Sequence, residues 1–347
     1  MRVLKETPYP ERFDKSALEQ IVESIPSFGD DPSNPEWNPT PVKEVDLTSE
    51  GYGVVYVKDE SVNPTGTHKD RAAWEIVALY RDFAKAALLR RETEVRVPRV
   101  SLITAGNAGR ALAVALERYG LPPVKLLVDE DRLRAHAAEL MQLRADVYVT
   151  NLDERELAPS SILELTHNAW GLDLTSLMAF EPQVMFYDWH VHEAFNEAPR
   201  EIYVPYGSGR LMENYLTWQS RTLRNFSQGK KDPRLQADPA HVAEISIFGA
   251  VPGILGSLAE KLEASFMPFT ILRITDREAM KAFGATGKDT GIYEVGETNI
   301  ARGYELMRKH VTTEPSASAG LALYMQRWDE GKRPEGKVLI INTGKGI

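Results

Sequence analysis

Apolar positions in this chain switch repeatedly between two spacings. Val54–Val57, Val100–Thr104, Val124–Val128, Ala145–Val149, Glu201–Pro205, Ile245–Phe248, Phe269–Ile274 and Lys337–Asn342 are short, β-branched, nearly continuous apolar runs, and they predict strands. Between them the apolar residues recur every three or four positions. That spacing predicts helices over Asp70–Arg91, Ala108–Tyr119, Asp131–Arg144, a stretch starting near Tyr187, Leu211–Ser220, Ile254–Ala264, Asp276–Phe283, Asn299–His310 and Ala317–Asp329. Strands alternating with helices predict an α/β fold with open, mostly parallel sheets covered on both faces.

Punctuation refines this picture. Gly120 and Gly331 suit helix ends, and Asp276 suits a cap. The prolines of Asn34-Pro35-Glu36-Trp37-Asn38-Pro39-Thr40-Pro41-Val42 rule out a helix interior, so residues 1–55 read as an arm lying over a larger domain. Residues 56–185 form a smaller α/β domain and 186–347 a larger one in this reading. Residues 221–240, which hold Arg221, Arg224, Lys230, Lys231 and Arg234 with Gly and Pro, read as a solvated connection.

Composition narrows the function classes. The chain has 347 residues, 43% of them apolar, and a net charge of −9. No clustered basic face marks a nucleic-acid partner. There is no cysteine, which excludes disulfides, thiolate metal sites and a thiol nucleophile. No apolar run is long enough to span a bilayer, and the first residues lack a signal peptide's apolar core, so a cytoplasmic protein with no membrane partner is expected. His190 and His192 lie two apart but lack further ligands, so no metal site is expected.

Four loops carry the candidate chemistry. Asn63-Pro64-Thr65-Gly66-Thr67-His68-Lys69-Asp70-Arg71 follows a strand and opens a helix. Lys69 thus falls in a first turn, where the positive end of the helix dipole disfavours an ammonium, and a nucleophilic amine is what Schiff-base chemistry needs. The same position also suits a solvated lysine. Thr104-Ala105-Gly106-Asn107-Ala108-Gly109 joins a strand to a helix; its free amides suit a carboxylate, and its composition equally suits a tight turn. Gly207-Ser208-Gly209-Arg210-Leu211 lets backbone amides close on phosphate or simply permits close packing. Thr343, in Asn342-Thr343-Gly344-Lys345-Gly346, offers a hydroxyl at the end of the last strand, or belongs to a polar tail.

Together these loops resemble those of the fold-type II pyridoxal-phosphate enzymes: threonine synthase, cysteine synthase, the serine/threonine dehydratases and the tryptophan synthase β subunit. The Lys69 segment is similar to that family's Pro-Thr-Gly-Ser-Phe-Lys-Asp-Arg, with His68-Lys69 nearer the tryptophan synthase form. The Asn107 loop resembles its Ser-Ser-Gly-Asn. Asn38-Pro39-Thr40-Pro41-Val42, Glu314-Pro315-Ser316-Ala317-Ser318-Ala319 and Thr343-Gly344-Lys345-Gly346 resemble further family segments, in order along the chain, and the last is nearest to threonine synthases.

The resemblance implies two domains with pyridoxal 5'-phosphate between them, held by Lys69 as a Schiff base. It implies that Asn107 meets the ring hydroxyl, that Gly207, Ser208, Gly209, Arg210 and Leu211 hold the phosphate, and that Thr343 faces the ring nitrogen. Thr104, Ala105, Gly106, Asn107 and Ala108 would take the carboxylate of an amino-acid substrate. A neutral hydroxyl at the ring nitrogen implies side-chain elimination or replacement over transamination. Threonine-synthase-like chemistry is the nearest reading, with cysteine-synthase-like β-replacement or dehydration as alternatives, and a homodimer is implied. A non-catalytic protein keeping the fold, and a phosphate-binding protein without the cofactor, are the readings from other classes. Arg210 stands where the family usually has a small residue. Arg110 follows the Asn loop and could meet an acidic substrate. The 221–240 stretch is longer than the family requires.

Overall fold

The computed structural model describes residues 2–26, 39–104, 106–152, 161–175, 186–207, 209–252, 286–287 and 289–346. In chain order its elements are β1 (Arg2–Lys5), β2 (Arg12–Asp14), α1 (Lys15–Ser24), β3 (Val42–Asp46), β4 (Val54–Asp59), α2 (Lys69–Leu89), β5 (Glu94–Arg96), β6 (Val100–Ile103), α3 (Asn107–Arg118), β7 (Val124–Asp129), α4 (Glu130–Gln142), β8 (Ala145–Thr150), α5 (Ser161–Leu165), β9 (Leu172–Asp173), α6 (Asp188–Asn196), β10 (Glu201–Pro205), α7 (Arg210–Ser227), α8 (Pro239–Glu244), β11 (Ser246–Pro252), β12 (Gly291–Val295), α9 (Glu297–Met307), α10 (Ala319–Asp329) and β13 (Val338–Asn342).

The described strands form two main sheets. One has five strands in the order β1-β8-β7-β6-β9, the other six in the order β12-β11-β10-β13-β4-β3. Both are parallel except at one edge: β1 runs antiparallel to β8, and β3 antiparallel to β4. The expected α/β architecture is therefore present. Strands β7, β8 and β13 are buried along their whole length, as strands covered on both faces must be. Sheet membership cuts across the 55/56 boundary expected from sequence. Strand β4 pairs with β13 in the larger sheet, whereas β1, from the arm, pairs with β8 in the smaller one.

The antiparallel edges are invisible to an apolar-run search. Val42-Lys43-Glu44-Val45-Asp46 has charge on its exposed positions, which is how edge strands avoid pairing with strangers. Helix α7 corrects the expected 221–240 connection. It runs on to Ser227, because Thr222 prolongs the buried face of Leu211, Tyr215 and Trp218, and the chain turns away at Gly229 with φ +69°. Helix α8 then follows, capped by Asp238, whose side chain accepts from the Ala240 N–H at 3.0 Å. The helix expected at Ile254–Ala264, the strand at Phe269–Ile274 and the helix at Asp276–Phe283 lie outside the described residues.

Candidate active site

The chain leaves β4 through a turn that ends in Lys69, the first residue of α2. The turn is closed on itself. The Asp70 carboxylate accepts from the Thr65 N–H at 2.9 Å and the Thr65 hydroxyl at 2.8 Å, and Gly66 sits at φ +85°. Burial raises the Asp70 carboxyl above its ordinary value, against the hydrogen bonds from Thr65. The Lys69 Nζ lies 3.1 Å from the hydroxyl of Tyr187, the residue that precedes α6.

The C-terminal tail docks onto this turn. Past β13, the Thr343 carbonyl accepts from the His68 N–H at 2.9 Å and the Thr67 hydroxyl at 3.2 Å. The His68 Nδ1 is 3.0 Å from the same carbonyl, so Nδ1 carries the proton. Burial and the neighbouring Lys69 hold this imidazole neutral, with its pKa well below the ordinary value. The Lys345 N–H donates to the Gly66 carbonyl at 3.0 Å, and Gly344 lies at φ +148°, where a Cβ would stand 2.6 Å from that carbonyl oxygen.

Glu314 ties the smaller sheet to this assembly. Its N–H donates to the Gly344 carbonyl at 3.1 Å, and its Oε1 accepts from the Asn107 Nδ2 at 3.1 Å. Asn107 opens α3, and no side chain caps the Gly106 position before it. The Thr104 hydroxyl accepts from the N–H groups of Gly106 and Gly109, both at 3.1 Å, so it holds the loop in shape. A Cβ on Gly109 would meet the Thr104 methyl at 2.8 Å, which explains the small residue there. Ala108 is half-buried; Ala105 lies outside the described residues.

The start of α7 joins from the other side. Gly209 precedes it at φ +79° with no side-chain cap, Gly207 is exposed with open space where a Cβ would stand, and Ser208 lies outside the described residues. Arg210 and Leu211 are buried. The Arg210 Nη1 bonds Glu213 at 2.8 Å, while its buried Nη2 has no hydrogen-bond partner among the described residues. Asn214 links this turn to Lys69: its Nδ2 donates to the Arg210 carbonyl at 2.8 Å, and its Oδ1 accepts from the Tyr187 N–H at 3.2 Å. The Thr343 tail thus bonds directly to the Lys69 turn, the Asn107 loop reaches it through Glu314 and the tail, and the start of α7 through Asn214 and Tyr187. A primary amine, the uncapped start of α7 and a buried guanidinium nitrogen without a hydrogen-bond partner among the described residues fit an aldehyde-bearing phosphate ester.

A buried ion network lies beneath. Arg71, two residues past Lys69, meets Glu60 at 2.7 Å and Glu193 at 2.7 Å, and Lys58 also bonds Glu193. Burial alone would push Glu60 up, but Arg71, His190 and Lys58 outweigh it and hold the carboxyl well below its ordinary value. His190 is committed here, with Nδ1 2.9 Å from Glu60 and Nε2 2.8 Å from the Tyr215 hydroxyl. His192 packs edge-on to Trp218 with ring centres 4.1 Å apart, and burial lowers its pKa to about 4. The two histidines therefore serve different neighbours. Sequence reasoning missed Tyr187, Lys58, Glu60 and the pairing role of Arg71. Nothing local marks Tyr187; the charge density of Lys58-Asp59-Glu60 beside an apolar strand was the available signal for the network.

Residues 34–213 match the family described as "Pyridoxal-phosphate dependent enzyme". A threonine synthase of Bacillus sp. (strain ULM1) is 24% identical over 308 residues, covering 84% of this chain and 78% of that protein. Among solved structures, a pyridoxal 5'-phosphate-dependent aspartate racemase superposes with a TM-score of 0.62 at 16% identity, covering 96% of this chain and 95% of the racemase. The processed form of threonine deaminase isoform 2 from Solanum lycopersicum superposes with a TM-score of 0.59 at 16% identity, covering 99% and 93%.

Proposed function

Since the chain belongs to the pyridoxal-phosphate dependent enzyme family, which matches more than half of it, we propose that it eliminates or replaces a group on the side chain of an amino acid, as a threonine synthase does. The observation that carries this reading is the hydrogen-bonded linkage of the Lys69 turn with the tail directly, with the Asn107 loop through Glu314, and with the start of α7 through Tyr187 and Asn214. When bound, pyridoxal 5'-phosphate supplies an aldehyde for that amine and a ring that withdraws electrons from the substrate's α-carbon.

The remaining work falls to this chain. Lys69 holds the cofactor and moves protons at the α- and β-carbons as base and acid. Gly207, Ser208, Gly209, Arg210 and Leu211 hold the phosphate at the uncapped start of α7, and Asn107 orients the ring hydroxyl. Thr343 faces the ring nitrogen. The substrate carboxylate is taken by loop 104–108; the Thr104 hydroxyl donates to the Gly106 carbonyl, the Gly106 N–H to Thr104 and the Asn107 Nδ2 to Glu314, so the backbone amides of Asn107 and Ala108 are the donors there. The same reading places a homodimer in the cytoplasm, with the cofactor between a smaller domain carrying the Asn107 loop and a larger one carrying the α7 start.

Purified protein given pyridoxal phosphate should develop a yellow absorption band that borohydride bleaches, and Lys69→Ala should lose the band while keeping its circular dichroism. A wild-type protein that stays colourless overturns the reading. Phosphate release from phosphorylated homoserine then supports threonine-synthase-like chemistry, whereas ammonia and keto acid from serine or threonine assign a dehydratase.

A further inference from the structure

We propose that Tyr187 is the positioning residue for the Lys69 amine, an inference that rests on Lys69 being the cofactor lysine. Tyr187 is only 3% exposed, and its backbone N–H is held by Asn214 from the second turn of α7. Its hydroxyl is 3.1 Å from the Lys69 Nζ, whereas the ring centre is 5.5 Å from it, so the hydroxyl is the atom that meets the amine. The ring also lies against His68, with centres 5.3 Å apart and planes inclined by 35°. His68 itself does not compete for the amine through Nδ1, which is committed to the Thr343 carbonyl.

The arrangement answers a specific difficulty. A lysine that alternately binds and releases a carbonyl carbon must return to one place, yet its four-carbon stem has many rotamers. A phenol hydroxyl donates to a neutral amine and accepts from an ammonium, so Tyr187 holds Nζ in either protonation state. The hydroxyl keeps its own proton over a cycle, and no bond forms to it. Through Asn214 the same residue is fixed to the turn that holds the phosphate in the proposed function. One residue thus ties the amine, through its hydroxyl, to the phosphate site, through its backbone N–H.

The test uses the full chain, freed of bound carbonyl compounds with hydroxylamine, as wild type, Tyr187→Phe and Lys69→Ala. Phenylalanine keeps the ring and its packing. One measurement is the rate at which pyridoxal phosphate plus borohydride labels the Lys69 peptide, read by mass spectrometry. The other is equilibrium affinity for 4'-deoxypyridoxine phosphate, which has no aldehyde, read by tryptophan quenching. Tyr187→Phe should slow labelling of Lys69 about five- to tenfold, as loss of one hydrogen bond implies, and leave the analogue's affinity within about twofold. An unchanged labelling rate overturns the proposal, and so does a loss of analogue affinity as large as the loss of rate, which would make Tyr187 a structural residue. The underlying reading fails separately: wild-type Lys69 would then take no label while other lysines do, and neither wild type nor Lys69→Ala would bind the analogue.

Discussion

Lys69 illustrates how little one residue says by itself. Its position at a helix start was legible from Pro64, Gly66 and the apolar period that follows, but its partner Tyr187 is 118 residues away and carries no local signature. The same holds for two carboxyls nearby. Burial and the neighbouring Asp188 raise Glu75 to about 8, and burial raises Asp188 to about 6. A carboxyl whose folded pKa lies above its unfolded one supports the fold fully below the unfolded value, and that support is lost as pH rises through the folded value. Stability should therefore decline between about pH 4.5 and 8 on account of Glu75. Glu75→Gln should remove that decline, gaining on the order of 1–3 kcal/mol at pH 8, or several degrees in Tm. Thermal melts of wild type and variant from pH 5 to 8 check this; parallel curves would contradict it.

At the scale of elements, long periodic segments were read from sequence nearly as they are. Helix α2 begins at Lys69 and ends at Leu89, and α3 spans Asn107–Arg118, each within two residues of expectation. Misreadings occurred where polarity outvoted packing: α7 runs through Arg221 and Arg224, since its other face is buried by Thr222. The tail was legible only as a motif, because its structure consists of backbone bonds to the Lys69 turn. Gly344→Ala tests that docking. The new methyl would stand 2.6 Å from the Gly66 carbonyl oxygen at a φ of +148°, a backbone contact that no side-chain motion relieves. The expected cost is about 2–4 kcal/mol, with weaker cofactor binding. Gly66→Ala should be milder, because its methyl would meet the flexible Lys345 side chain. Denaturant melts and pyridoxal-phosphate titrations of the two variants should show that order.

At the scale of the whole molecule, the buried network joins parts distant in sequence. Arg71 on α2 meets Glu60 past β4 and Glu193 on α6, and its Nη2 also reaches the Thr40 hydroxyl at 3.1 Å. Arg71→Met would leave the buried Glu60 carboxylate and the half-buried Glu193 short of a partner and should cost about 3–5 kcal/mol, more than the loss of any exposed pair such as Arg12–Glu94. Urea unfolding of Arg71→Met and Arg12→Met compares them directly. What the sequence determined by itself was whatever repeats along the chain: the strand–helix alternation, the parallel sheets it demands, the loops where chemistry collects and the family they resemble. Period and turn chemistry are local properties, so they survive without coordinates. Only the tertiary structure decided that β1 and β3 complete opposite sheets, that Tyr187 meets Lys69, that Glu314 joins Asn107 to the tail, and that His190 belongs to Glu60. Those pairings depend on contacts between residues far apart in the chain, which no local spacing encodes.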